Sequence, residues 1–145
     1  MKTGTFAVII LMALGLTSCE KKEIYTVRDE TAEQVNWFCG EFDVERWMEC
    51  SDADSLNKYY KADIRIQHLD CDAVHYGQVN CYLYVGPDIQ TPLPYNRHYE
   101  NREGQKWTRT IDYEYYEGGI TIYVTDNDFA GDVPGPMTFR ITLAW

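Results

Sequence analysis

Serine is nearly missing from this chain beyond its leading segment. Past residue 19 only Ser51 and Ser55 remain, and neither sits in the Gly-x-Ser-x-Gly turn that exposes a hydrolase nucleophile. Basic residues are scarce as well: 13 Lys and Arg face 23 Asp and Glu, for a formal net charge of −10, and no Lys/Arg cluster interrupts that balance. A body of this sign repels phosphate backbones and anionic headgroups, which excludes nucleic acid as a partner. No apolar run is long enough to span a bilayer. The longest, Phe6–Leu16, has 11 residues, against the roughly 20 that a spanning helix needs. Internal repeats and low-complexity tracts are absent, and helical periodicity is confined to a single candidate.

What is present begins with that apolar run. It follows Lys2, has the proportions of a secretory h-region and is set aside from the fold. It ends at "LTSC" (Leu16–Cys19), which resembles the bacterial lipobox, with a branched residue and two small ones before a cysteine. The resemblance implies that residues 1–18 are a lipoprotein signal peptide and that Cys19 carries a diacylglycerol thioether. Glu20, Lys21, Lys22 and Glu23 then open a polar tether over residues 19–33. A charged stretch at this point is similar to the sorting signal of Bacteroidetes-type surface lipoproteins. It implies an exported chain in the outer membrane, at the cell surface, touching the membrane through the lipid on Cys19. Cleavage also removes Lys2, so the mature chain is more acidic still. Residues 34–145 fit one domain.

That domain holds Cys39, Cys50, Cys71 and Cys81. An even set in an exported chain reads as two disulfides. Four cysteines allow three pairings. The local one, Cys39–Cys50 with Cys71–Cys81, closes the shortest loops.

Period-two alternation dominates the remainder. "VNWFCGEFDV", "ADIRIQHLD", "QVNCYLYV", "KWTRTIDYEYY", "GITIYV" and "MTFRITLAW" each place apolar residues on one face, such as Ile120, Ile122 and Val124, or Phe139, Ile141 and Leu143. "GPDIQTPLPYN" (Gly86–Asn96), with three prolines, reads as loop, and "EGG" (Glu117–Gly119) as a tight hairpin turn. "SDADSLNKYY" (Ser51–Tyr60) is the one helical candidate, capped by Asp52 or Asp54. The pattern predicts an all-β antiparallel sandwich of about seven or eight strands.

Two acidic loops punctuate it. "TDNDFAGD" holds Asp126, Asp128 and Asp132, and "LDCDAVHYGQVN" holds Asp70, Asp72 and Asn80. Clustered oxygens on loops are what calcium takes, and bare carboxylates repel one another; aspartates in turns equally serve the turn itself. Three segments are similar, in order, to the C-two β-sandwich of synaptotagmins and protein kinase C. In "GQVNCYLYV" Tyr82 and Val85 fall in register, Asn80 stands where that family has a calcium-ligating aspartate and Cys81 replaces a proline. "KWTRTIDYEY" matches its tryptophan strand through Trp107, Ile111 and Tyr113, and "ITIYVTDND" its strand ending in Asp-x-Asp. The resemblance spans roughly Ile64–Leu143 and implies a calcium cup of Asp70, Asp72, Asn80, Asp126, Asp128 and Asp132. The family's first aspartate falls at Val74 here, and its basic lipid-binding strand is missing. An immunoglobulin-like sandwich is the alternative.

His68, Cys71, His75 and Cys81 are ligand types that suit zinc, but pairing of the cysteines removes two of them. Outward tyrosines such as Tyr82, Tyr84 and Tyr116 suit stacking on sugars or contact with protein, as well as plain cross-strand packing. "DSL" (Asp54–Leu56) matches a short O-glycosylation signal at Ser55. The expected function is a lipid-anchored binding or structural module, not an enzyme, with calcium as its candidate cofactor. The competing readings are a glycan-binding surface lipoprotein, and a small secreted hydrolase or inhibitor that uses the acidic loops. A buried carboxyl of raised pKa beside a deep cleft would favour the hydrolase; a shallow cup or a tyrosine patch would favour binding.

Overall fold

Alternation of apolar and polar residues puts one face of each strand in the core, and a computed structural model of the chain describes the outcome for residues 35–129 and 131–145. The signal peptide, Cys19 and the tether lie outside the described residues. Among the described residues nine strands and one short helix follow in the order β1 (Trp37–Val44), β2 (Met48–Ser51), β3 (Lys58–Arg65), α1 (Cys71–Tyr76), β4 (Gln78–Gly86), β5 (Ile89–Pro92), β6 (Tyr95–Glu100), β7 (Lys106–Tyr116), β8 (Gly119–Asp126) and β9 (Met137–Ala144). They form a four-stranded sheet, β1-β9-β4-β5, and a five-stranded sheet, β2-β3-β8-β7-β6, with antiparallel neighbours throughout.

The two inner faces share one core. Cys81, Leu83, Phe139, Ile141 and Leu143 come from one sheet, and Ile111, Ile120, Ile122 and Val124 from the other. Each such side chain contributes about 1.5–3 kcal/mol by leaving water. The Tyr113 hydroxyl crosses between the sheets to donate to the Val79 carbonyl at 2.9 Å. Gly118, at φ +93°, takes the left-handed conformation that the two-residue β7–β8 turn needs.

The helix is not where periodicity puts it. Asp52 does hold a turn, accepting from the Leu56 backbone at 3.1 Å and from the Asn57 side chain, but Ser55 turns left-handed (φ 57°) and the chain enters β3 three residues later. Aromatic Tyr59 and Tyr60 are better strand formers than helix formers, so the cap closes a loop. The actual helix is α1. Asp70 caps it through Ala73 N at 2.9 Å, and Leu69 and Ala73 plug one end of the core. The proline-rich stretch also departs from expectation: its middle forms β5, a four-residue edge strand, where prolines are tolerated because one side of the ladder is open.

The chain enters and leaves the sandwich at this same end. Asn36 and Trp145 exchange backbone hydrogen bonds of 2.7 and 3.1 Å beside the start of β1 and the end of β9. The segment after Arg65 packs there too, through Ile66 N to Gly118 O (2.9 Å) and Gly118 N to Leu69 O (2.7 Å).

Candidate functional site

The opposite end is built from the β6–β7 hairpin. Its register sets Tyr95 against Ile111, Arg97 against Arg109 and Tyr99 against Trp107. Residues directly opposite share a face, and alternate residues share it too. Tyr95 and Ile111 belong to the core or pack on it. The same inner face therefore continues past the core as an overhang, first arginine, then aromatic. The Tyr99 and Trp107 rings stack at 5.4 Å and 13°. Arg97 and Arg109 lie over the Tyr99 ring at 5.7 and 5.9 Å, so Tyr99 is occupied by cation–π contacts, and Trp107 is half-buried. The hairpin tip is held by Asn101, whose Oδ1 accepts from Glu103 N (3.0 Å) and Gln105 N (2.9 Å) and whose Nδ2 donates to Gln105 Oε1 (2.8 Å).

Across from this overhang, β8 ends at Asp126, paired with Arg109. Arg109 forks its carboxylate through Nε at 2.8 Å and Nη2 at 2.7 Å. The side chains are 21 % and 5 % exposed, so this is a largely desolvated, bidentate pair. The hydrogen bonds donated to Asp126 raise the Arg109 pKa further, against the opposing pull of burial. The chain after Asp126 folds back over the pair. Gly131 sits so close that an added Cβ would overlap Asp126 Oδ2. Its carbonyl accepts from the Tyr60 hydroxyl at 3.1 Å, and Trp47 Nε1 donates to Gly135 O at 3.0 Å. Asn127 ties the segment to β7, with its N on Thr108 O (3.0 Å) and its Oδ1 on Thr108 N (2.8 Å).

Two open clefts result, and both have Lys106 and Trp107 in their walls. One, of about 450 Å³, also presents His98, Thr108 and Asn127. The other, of about 650 Å³, lies between the hairpin tip and the folded-back segment, with Gln105, Arg109, Asp128 and Asp132 around it. Both volumes fall in the range of small-ligand sites.

The expected calcium cup is not assembled. Asp70 and Asp72 sit at the α1 end, beside Gly118 and the start of β8, whereas Asp126 closes β8. Seven residue steps of strand separate the ends of β8, about 23 Å at the usual rise. Asp70 is spent as a helix cap, Asn80 stands exposed in β4 opposite Thr142, and Asp126 is neutralised by Arg109. Only Asp126, Asp128 and Asp132 line a common cleft. Among the described residues no three His, Cys, Asp or Glu side chains are grouped to hold a metal ion. The zinc set fares the same way: Cys71 and His75 approach to 3.6 Å on α1, but Cys81 is 1 % exposed in the core and His68 packs on the Phe38 ring at 4.7 Å.

The expected disulfides are absent, and all four thiols are free. Cys39 lies on edge strand β1, opposite Thr142 rather than beside the core residues Phe38 and Phe42, and it accepts from Arg140 Nε at 3.2 Å. Cys50 lies on edge strand β2 of the other sheet, opposite Tyr59, whose neighbour Tyr60 is the buried one. The two thiols thus stand on outer faces of opposite layers, some 10 Å of core apart. Cys71 is exposed on α1, while Cys81 points inward, where burial pushes its pKa up to about 12.

Ser55 is exposed at its turn, and Tyr116 is 47 % exposed. Tyr82 and Tyr84 face outward from β4, and Tyr84 donates to Glu41 at 2.6 Å. On the outer face of β7 the Asp112 carboxyl is pushed up by partial burial and then by Glu114, yet it stands exposed on an open sheet and not in a deep cleft. Sequence reasoning did not single out Tyr99, Arg109 or Asn127 for the site. One signal was available. Counting outward from the "EGG" turn, seven residues back from Tyr116 and seven on from Gly119, sets Arg109 opposite Asp126.

Scans against protein-family models, curated proteins and solved structures return no match.

Proposed function

We propose that this domain is a glycan-binding module, held at the cell envelope through the lipid on Cys19. The observation that carries the reading is the half-buried Trp107 indole, shared by two open clefts. A sugar ring offers a flat C–H face and a rim of hydroxyls. An aromatic ring matches the first, and short polar side chains match the second. Gln105, Thr108, Asn127, His98 and Asp132 supply donors and acceptors of both kinds around the indole. Trp107 is held by its stack on Tyr99, so little side-chain freedom is lost on binding. The exposed position of Asp112 favours binding over the hydrolase reading. The C-two likeness contributes no calcium site to this reading, because its ligands stand at two ends of the domain.

The test is a glycan array probed with the purified chain and with Trp107→Ala. Binding that falls at least tenfold in the variant, with unchanged circular dichroism, supports the reading. Equal binding by the variant, or none by the parent to any glycan, rejects it.

A further inference from the structure

The larger cleft carries information about the charge of its occupant. Lys106, Arg109, Asp126, Asp128 and Asp132 face it. Arg109 and Asp126 cancel in their fork. The Lys106 ammonium reaches Glu100 at 3.8 Å, outside this cleft. The Asp132 carboxylate has no hydrogen bond or ion pair among the described residues, and it shares the cleft with the Trp107 indole. A cation between these two groups gains from both, since the indole face attracts positive charge and the carboxylate pairs with it. An anionic group there meets Asp128, Asp132 and a chain of net charge −10.

We infer that the larger cleft takes an amino sugar, with its protonated amine seated between Asp132 and Trp107. The inference rests on the glycan reading above. A lysine side chain carries the same charge, but the neighbouring cleft favours a sugar polymer. That cleft continues from the same Trp107 and Lys106, and its further groups, Thr108, Asn127 and His98, are hydrogen-bonding partners suited to the next ring.

Calorimetry at pH 6 with the purified chain tests this with three probes: glucosamine oligomers, the same oligomers fully N-acetylated, and an oligolysine of equal charge. The glucosamine oligomer is expected to bind about tenfold more tightly than the acetylated one, the usual scale of one charge-assisted hydrogen bond. Asp132→Asn should level that difference. Trp107→Ala should weaken both sugars, and Trp107→Phe should retain most of the binding. Equal affinity for the two oligomers, or a preference that survives Asp132→Asn, overturns the amine assignment and leaves the glycan reading standing. Oligolysine binding as tightly as the glucosamine oligomer overturns it in favour of a basic peptide. Failure of both oligomers to bind overturns the assignment together with the glycan reading for this class of sugar.

Discussion

Replacing Asp126 with alanine removes a carboxylate but leaves its partner behind. The Arg109 guanidinium, 21 % exposed, then loses hydrogen bonds of 2.8 and 2.7 Å. Removing one member of a buried pair costs about 3–5 kcal/mol. Water reaches a fifth of Arg109, so the lower end, about 3 kcal/mol, is expected for Asp126→Ala. For a domain of this size that is a fall in Tm of about 12 °C, and a urea midpoint lower by roughly 2 M at unchanged slope. Gly131→Ala gives a second handle, because its Cβ needs the space of Asp126 Oδ2 and must displace the same carboxylate. The double change Arg109→Met with Asp126→Leu should recover most of the loss, since it leaves no unpaired charge. A loss below about 1 kcal/mol for Asp126→Ala, the scale of an exposed ion pair, would refute the reasoning. Stabilisation by that change would revive the picture of three carboxylates repelling one another.

Thiol labelling of the native chain should reach the exposed Cys39 and Cys71 first and Cys50 more slowly, with Cys81 reacting only after denaturation; a disulfide-linked peptide in an unreduced digest would contradict this. Asp112→Asn should raise Tm at pH 7. The folded Asp112 pKa is raised, so its contribution is fully present below the unfolded value of about 3.9 and is lost as pH rises through the folded value. The gain should vanish near pH 3, and a gain that persists there would point to another cause. Cys19→Ser should release the chain from membranes in soluble form, and continued partition into detergent would count against the lipid anchor.

Strand cores were legible because a two-residue period needs only local information. Ile120, Ile122 and Val124 alternate inward, as do Phe139, Ile141 and Leu143. The site was not legible, because it depends on register between strands. Asp126 and Asp128 have turn spacing, and nothing adjacent to them shows that Arg109 neutralises one of the two. Strand β6, "YNRHYE", carries mostly polar residues, because its inner face runs beyond the core and has no apolar stripe to display. Helix α1 is six residues long, under two turns, too short for a 3.6-residue period to register. The cysteines misled for a different reason: short sequence separation closes a small loop on paper, but Cys39 and Cys50 fall on edge strands of different sheets, and Cys81 turns into the core while Cys71 stays exposed on α1.

The pairing of Asn36 with Trp145 has a consequence for presentation. The chain enters the sandwich at the α1 end, and β9 runs from the segment folded over Asp126 to the point where Trp145 meets Asn36. Eight residues of strand, about 23 Å, lie between that entry point and the Trp107 overhang. Asn36 and Trp145 therefore mark one pole of the sandwich. The Trp107 clefts mark the other pole, so a label attached at Trp145 sits a full strand length from the indole and leaves both clefts clear.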